Sequence, residues 1–279
     1  MFPVVLAYHQ VGGRKTLGVT WITAAQFERQ MGWLAEAGYR TASLSACLRQ
    51  EEALPHRTIV LTFDDGLRGL IKHALPVLQR HGFTATVYPV AGYIGGENRW
   101  DVNFLGRRNR HLDWGELREL LACGWEIGSH SLRHVYLPAL PEAALFEELW
   151  DSRRLLEDRL QIPIRHFALP FGRGSERVFR AAQRAGYESV ALLGPQARCQ
   201  QWRGPQPEAA PLWLIPRRGV YLHDSLRSVQ RRVQAPPDSR REYWRQRAIS
   251  FFSNGTIIVK TLEQWLPPVR RQAKVPGGS

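Results

Sequence analysis

The chain has 279 residues, 44% of them hydrophobic, and a formal net charge of +13 at pH 7. It can bury the core of one large α/β domain, and no apolar run nears the roughly 18 residues that span a bilayer, so a transmembrane segment is excluded. The positive excess is carried by arginines spread along the whole chain, with lysine only at Lys15, Lys72, Lys260 and Lys274; this disfavours a nucleic-acid binder with a basic stripe and favours attraction to an anionic or lipid-phosphate-linked substrate.

The start, Met1-Phe2-Pro3-Val4-Val5-Leu6-Ala7, lacks the basic segment and long apolar stretch of a signal peptide, so a cytoplasmic location is expected, or a secreted or periplasmic one if a leader was removed. Cys47, Cys123 and Cys199 are odd in number and form no C-x-x-C pair, which suggests neither a disulfide framework nor a thiolate zinc site. Oligomeric state leaves no signal.

Taken in chain order, Val4 to Tyr8 is a strand, and Thr23 caps a helix that carries Phe27, Met31 and Leu34 on one face as far as Gly38. A weak run near Arg40 to Leu44 precedes the strand Thr58 to Phe63 and a helix over about Leu70 to Arg80. Thr84 to Val90 is a strand, then Gly92 to His111 interrupts the rhythm. Asp113 and Glu116 form a capping box for a helix ending near Cys123. Trp125 to Ser129 is a strand and Glu142 to Leu160 a long helix. His166 to Leu169 is a strand, Ser175 caps a helix to Gly186, and Ser189 to Leu193 is a strand.

Pro195 to Pro211 reads as a long loop, and Leu226 to Val233 and Tyr243 to Phe252 as helices, with a frayed end at Pro276 to Ser279. About seven strand–helix steps of this kind predict a (β/α) barrel with one unit missing or degenerate. The catalytic domain is expected over residues 1–225, with 226–279 as a helical extension packed on it.

Three stretches at strand exits carry chemistry. Thr62-Phe63-Asp64-Asp65-Gly66 sets two carboxylates side by side, which also reads as a plain turn. His130-Ser131-Leu132-Arg133-His134 spaces two imidazoles four residues apart, which on a helical turn puts both on one face; alone it is a weak signal. With an aspartate from another strand it makes a His₂Asp set with open positions, suited to a divalent cation that activates water. One carboxylate of the pair would then bind the cation and the other stay ionised as a base. Phe167 to Gly172 could aim the Phe171 N–H into the pocket as an oxyanion donor, or be an ordinary turn.

Together these stretches resemble the polysaccharide deacetylase family, with its NodB-type homology domain: T-F-D-D-G at Thr62 to Gly66, H-[ST]-x-x-H at His130 to His134, and a partial R-x-P-[FY] at Ala168 to Phe171. Ala7-Tyr8-His9 is similar to the Y-H opening of the branch acting on exported glucosamine polymers. The resemblance covers roughly residues 3–220. It implies a distorted (β/α)7 barrel, Asp64 as general base, and Asp65, His130 and His134 as ligands of a divalent cation, usually Zn2+. It further implies water attack on an acetamide, with the Phe171 N–H on the oxyanion and release of acetate.

In two places the sequence departs from the family pattern. Ala168 replaces the arginine that orients the base, so tuning is expected from Arg165 or His166. The late L-x-H motif, which supplies the general acid, is matched only by the letters of Tyr221-Leu222-His223, whose flank Pro216 to Val220 reads as a loop; His9 competes for that role. Trp21, Tyr88, Trp100 and Trp114 are candidate sugar platforms. The expected reaction is removal of N-acetyl groups from N-acetylhexosamine units of a glycan or glycan precursor. Hydrolysis of cyclic amides, or carbohydrate binding by a barrel without turnover, are the alternatives.

Overall fold

In the computed structural model of the protein, which describes residues 2–13, 19–49, 54–97, 109–193, 199–204 and 210–235, short apolar runs become seven parallel strands in a ring. They are β1 (Val4–Tyr8), β2 (Thr58–Asp65), β3 (Thr86–Pro89), β4 (Glu126–Ile127), β5 (His166–Ala168), β6 (Ser189–Leu193) and β7 (Leu212–Gly219). Pairing runs β4-β3-β2-β1-β7-β6-β5. The remaining seam is held by a parallel bridge between Ser129 and Phe167: Ser129 N–H donates to the His166 carbonyl and Ala168 N–H to the Ser129 carbonyl, both at 2.9 Å. The chain therefore forms the expected (β/α)7 barrel.

Seven α-helices accompany the strands among the described residues: α1 (Ala24–Glu36), α2 (Leu44–Arg49), α3 (Leu75–Arg80), α4 (Trp114–Ala122), α5 (Glu142–Leu160), α6 (Glu176–Arg184) and α7 (Leu226–Gln234). Thr23 with Gln26 and Asp113 with Glu116 make full capping boxes, and Ser175 caps α6. The helix expected over Leu70 to Arg80 is instead a π-helical turn, Leu70–Ala74, followed by α3. Pro76 has no N–H to continue the α-helical ladder, and Leu75 N–H bonds back to Leu70.

Alternation along the strands sorts the core. Leu6, Tyr8, Leu61, Phe63, Val87, Phe167, Val190 and Leu192 join the main apolar cluster shared with the helices. The alternate set fills the barrel: Val5, Val60 and Ile215 pack with Leu44 and Cys47 of α2 at the floor, and Tyr88, Ala168 and Ala191 cluster separately. Gly128 admits the Tyr88 ring, since a Cβ there would lie 2.4 Å from it.

Glu126 ties α2 to the floor, accepting from Leu44 N–H at 3.0 Å and from the Thr86 hydroxyl at 3.1 Å. Burial alone would raise its carboxyl, but His166 and the hydroxyl partners outweigh that and hold it at about 2.

Three expectations are corrected. The weak run near Arg40 is a two-residue strand, Arg40–Thr41, parallel to the start of β2, and it leads into the unforeseen helix α2. Within the expected loop, Gln200–Trp202 forms a strand antiparallel to β7; residues 194–198 and 205–209 lie outside the described residues.

Pro216 to Gly219, read as loop, belongs to β7. Even positions of β7 turn their N–H toward β1, as Val220 donating to Ala7 continues, and odd positions toward β6, as Trp213 donates to Glu188. Pro216 falls on the β1 side, after pairing with Gln200–Trp202 ends at Leu214 and before pairing with β1 begins at Arg218. The missing N–H therefore costs no ladder bond.

The helix α7 is anchored to β7 by buried polar groups. Arg232 donates to the Gly219 carbonyl at 2.8 Å and pairs with Asp224, and Arg218 donates to the Ala235 carbonyl at 3.0 Å. The helix expected over Tyr243 to Phe252 and the tail lie outside the described residues. No described helix is long and apolar enough to cross a membrane. Cys47, Cys123 and Cys199 are free thiols.

Candidate active site

Adjacent residues of a regular strand point to opposite faces, so two consecutive aspartates should not share a pocket. The chain resolves this at the end of β2. Asp64 stays in strand geometry and faces the barrel interior, while Asp65 takes a left-handed backbone with φ +66° and turns its carboxylate to the same mouth. Two contacts hold that conformation: the His111 ring Nδ1 lies 2.8 Å from the Asp65 carbonyl oxygen, and Leu112 N–H donates to Gly66 at 2.8 Å. Gly66 itself has φ +62°, and a Cβ there would lie 2.8 Å from Pro89.

The two histidines meet by a different route from the helical turn expected. Residues 130–134 form a non-helical loop with left-handed backbone at Ser131 (φ +68°) and His134 (φ +57°), which brings the imidazole centroids to 4.9 Å. Asp65 Oδ1 lies 3.6 Å from His130 Nε2 and 3.5 Å from His134 Nε2, and the three potential ligand atoms are all within 4.8 Å of one another.

This set fits a divalent cation on two observations. Asp65 Oδ1 is buried with no hydrogen-bond partner among the described residues, so it has an acceptor to spare. His130 Nδ1 sits 2.9 Å from the Ala168 carbonyl, which fixes its proton there and leaves Nε2 as a bare lone pair aimed at Asp65. Burial pushes the His130 imidazolium below its ordinary value against the pull of Asp64 and Asp65, favouring the neutral form a ligand needs.

Asp64 has a partner that sequence reading missed. Arg217, fully buried on β7, makes a bidentate pair with it: Nη1 to Oδ1 at 2.6 Å and Nη2 to Oδ2 at 2.9 Å. The same guanidinium donates to Thr62 Oγ1 at 3.2 Å and lies 5.4 Å from the Tyr88 ring centre. Burial alone would raise the Asp64 carboxyl; the Arg217 charge, aided by His130 and His9, outweighs it and holds the group at about 2.

The residues expected to tune the base lie elsewhere. Arg165 is half-buried and pairs with Glu188 at 2.9 Å, and His166 bonds Ser45 and Ser189 at the barrel floor. The available signal was the pair of arginines in Leu-Trp-Leu-Ile-Pro-Arg-Arg: read through its proline as a strand, that run must aim one of them inward.

His9, at the exit of β1, places Nε2 3.7 Å from Asp64 Oδ2, whereas His223 is exposed on the turn after β7. Phe171, just beyond β5, is left-handed (φ +60°, ψ 8°), with its ring 5.0 Å from His134 and 6.2 Å from Tyr136. Aromatic surface beside the cluster thus comes from Phe171 and Tyr136. Of the four expected platforms, Tyr88 is buried inside the barrel, Trp21 is buried in a short strand, and Trp114 is half-buried 4.8 Å from the Arg159 guanidinium. Trp100 lies outside the described residues.

The family model described as polysaccharide deacetylase matches residues 51–190. YxkH of Bacillus subtilis (strain 168), named for the same family, is 28% identical over 196 residues, 69% of this chain and 65% of that protein. The poly-beta-1,6-N-acetyl-D-glucosamine N-deacetylase of Staphylococcus aureus (strain N315) is 23% identical over 176 residues. The chain spans 65% and 58% of the length of these two relatives. Among solved structures, the Streptococcus pyogenes deacetylase PplD with acetate matches at a TM-score of 0.67 and 18% identity, covering 83% of this chain and 98% of that one. IcaB from Ammonifex degensii also matches at 0.67, with 24% identity over 83% and 97% of the two chains. These structural likenesses speak for the fold.

Proposed function

The chain belongs to the polysaccharide deacetylase family, and from that premise we propose that it hydrolyses the N-acetyl group of N-acetylhexosamine units in a glycan or glycan precursor. The observation that carries this reading is the pairing of a buried, arginine-clamped carboxylate with a separate Asp–His–His set at one barrel mouth. Asp65, His130 and His134 would hold the divalent cation, Zn2+ by preference. Bound there, it would polarise the amide carbonyl and acidify the attacking water, which a carboxylate held at about 2 needs in order to take a proton.

The chain's own groups do the rest. Asp64, fixed as an anion by Arg217, accepts the water proton while oxygen bonds to the acetyl carbon. The Phe171 N–H donates to the developing oxyanion. His9, beside Asp64, gives a proton to the sugar nitrogen as the C–N bond breaks, so acetate and a free amine leave. Residues 1–225 carry this chemistry, and the +13 charge favours an anionic or lipid-linked glycan carrier.

Acetate assay on N-acetylglucosamine oligomers with the zinc-loaded protein tests the activity. Glycan binding without acetate, or turnover only of cyclic amides, would contradict it. The same assay assigns the acid: His9→Ala should lower kcat by roughly 10²- to 10⁴-fold and His223→Ala leave it near wild type, and the reverse pattern would move the role to His223.

A further inference from the structure

The buried stripe of α5 reads Leu145, Glu148, Leu149, Ser152, Leu156, Leu160. Four leucines are what packing against a barrel calls for; a glutamate and a serine are not. Both polar members reach the histidine loop, and each meets the residue just before one of the two imidazoles.

Ser152 Oγ accepts from Ser129 Oγ at 3.0 Å, and Ser129 precedes His130. Glu148 accepts from the backbone N–H of Arg133 through Oε1 and from Arg133 Nε through Oε2 at 2.8 Å, and Arg133 precedes His134. Glu148 is 0% exposed while the Arg133 side chain is 56% exposed. The carboxylate thus sits in the interior, facing the loop backbone, and only one of its two partners reaches water. Burying a carboxylate is costly unless every partner is in place, so a helix serving packing alone gains nothing from it.

The loop needs such an anchor. Ser131 and His134 are left-handed without being glycine, an unfavourable conformation that persists only when surroundings impose it. Inside the loop, His134 N–H donates to Ser131 Oγ at 3.0 Å, which opposes relaxation. Ser131 and Leu132 also accept through their carbonyls from Ala91 and Gly92, which holds the first half of the loop. On the second half, which carries His134, Glu148 grips the Arg133 peptide from the interior.

We propose that Glu148 is a positioning residue for the cation site, setting the direction of the His134 imidazole by gripping the Arg133 peptide, with Ser152 doing the same more weakly for His130. This rests on the assignment of Asp65, His130 and His134 to a divalent cation. Partners one step removed from a metal ligand are commonly worth 10- to 100-fold in affinity.

The test is Co2+ titration of the full chain, followed by the visible absorption of the bound ion, together with circular dichroism to establish folding. Glu148→Ala should bind Co2+ about 10- to 100-fold more weakly, with an altered visible spectrum; Glu148→Gln, which keeps one acceptor, should fall between it and wild type. Arg133→Ala removes only the exposed half of the contact and should stay within about threefold of wild type, because the peptide N–H bond survives. A folded Glu148→Ala with wild-type affinity and spectrum would overturn the proposal. Should that variant fail to fold, wild-type behaviour of Glu148→Gln overturns it instead. Wild-type protein that takes up no Co2+ would mean that the cation assignment itself has failed, a distinct outcome.

Discussion

Asp64→Asn is expected to abolish acetate release, by roughly 10²- to 10⁴-fold in kcat, while divalent-ion affinity stays within a few-fold of wild type. The two halves of that result follow from the division of labour between adjacent carboxylates. Asp64 lies on the interior face of β2 with both oxygens on Arg217, whereas Asp65 Oδ1 is the atom turned toward His130 and His134. An asparagine cannot accept the water proton, yet it leaves the Asp65 set intact. It also strands the buried Arg217 charge, so a loss of about 3–5 kcal/mol in stability is expected, and activity must be compared where circular dichroism shows both proteins folded. Equal loss of metal binding and turnover would mean that Asp64 is itself a ligand.

Removing the other partner, Arg217→Met, should be as damaging and should in addition carry a pH signature. In the wild type the Asp64 carboxyl is held at about 2, below its ordinary 3.8. A group depressed in this way contributes stability that is present above pH 4 and is lost as pH falls through about 2; the span corresponds to about 2 kcal/mol. Without the guanidinium, burial dominates and the carboxyl rises. The variant should then lose stability as pH increases, and the acidic limb of its kcat/KM profile should move to higher pH. Arg217→Lys restores the charge without the two-pronged geometry and should recover the profile better than the rate. A methionine variant with an unshifted acidic limb would show that Arg217 does not govern Asp64.

Much of the fold was legible because local signals agreed with one another. The limits of β1, β6 and α5 are those the apolar runs gave, and the caps at Thr23, Asp113 and Ser175 stand where the side chains placed them. What was not legible depended on partners distant in sequence. The helix α2 has only six residues, and Glu126, 82 positions after Leu44, caps its N-terminus. The strand β7 contains a proline that is harmless only because its N–H would fall in a gap between two partners.

The same distinction holds at the site. Asp64, Asp65, His130 and His134 lie in two short motifs and were readable, but the left-handed turns that let them converge were not, since none falls on glycine except at Gly66. Arg217 reaches Asp64 from 153 residues away, and its pairing with that carboxylate emerges only when the ring of strands closes.

Whether one divalent cation, seated on Asp65, His130 and His134, is required for deacetylation is measured most directly by stripping the protein with chelator and titrating Zn2+ back while following acetate release. Negligible release at the outset and a rise that saturates at one equivalent are expected. Full activity in the stripped protein, or activity that ignores added metal, would contradict that requirement.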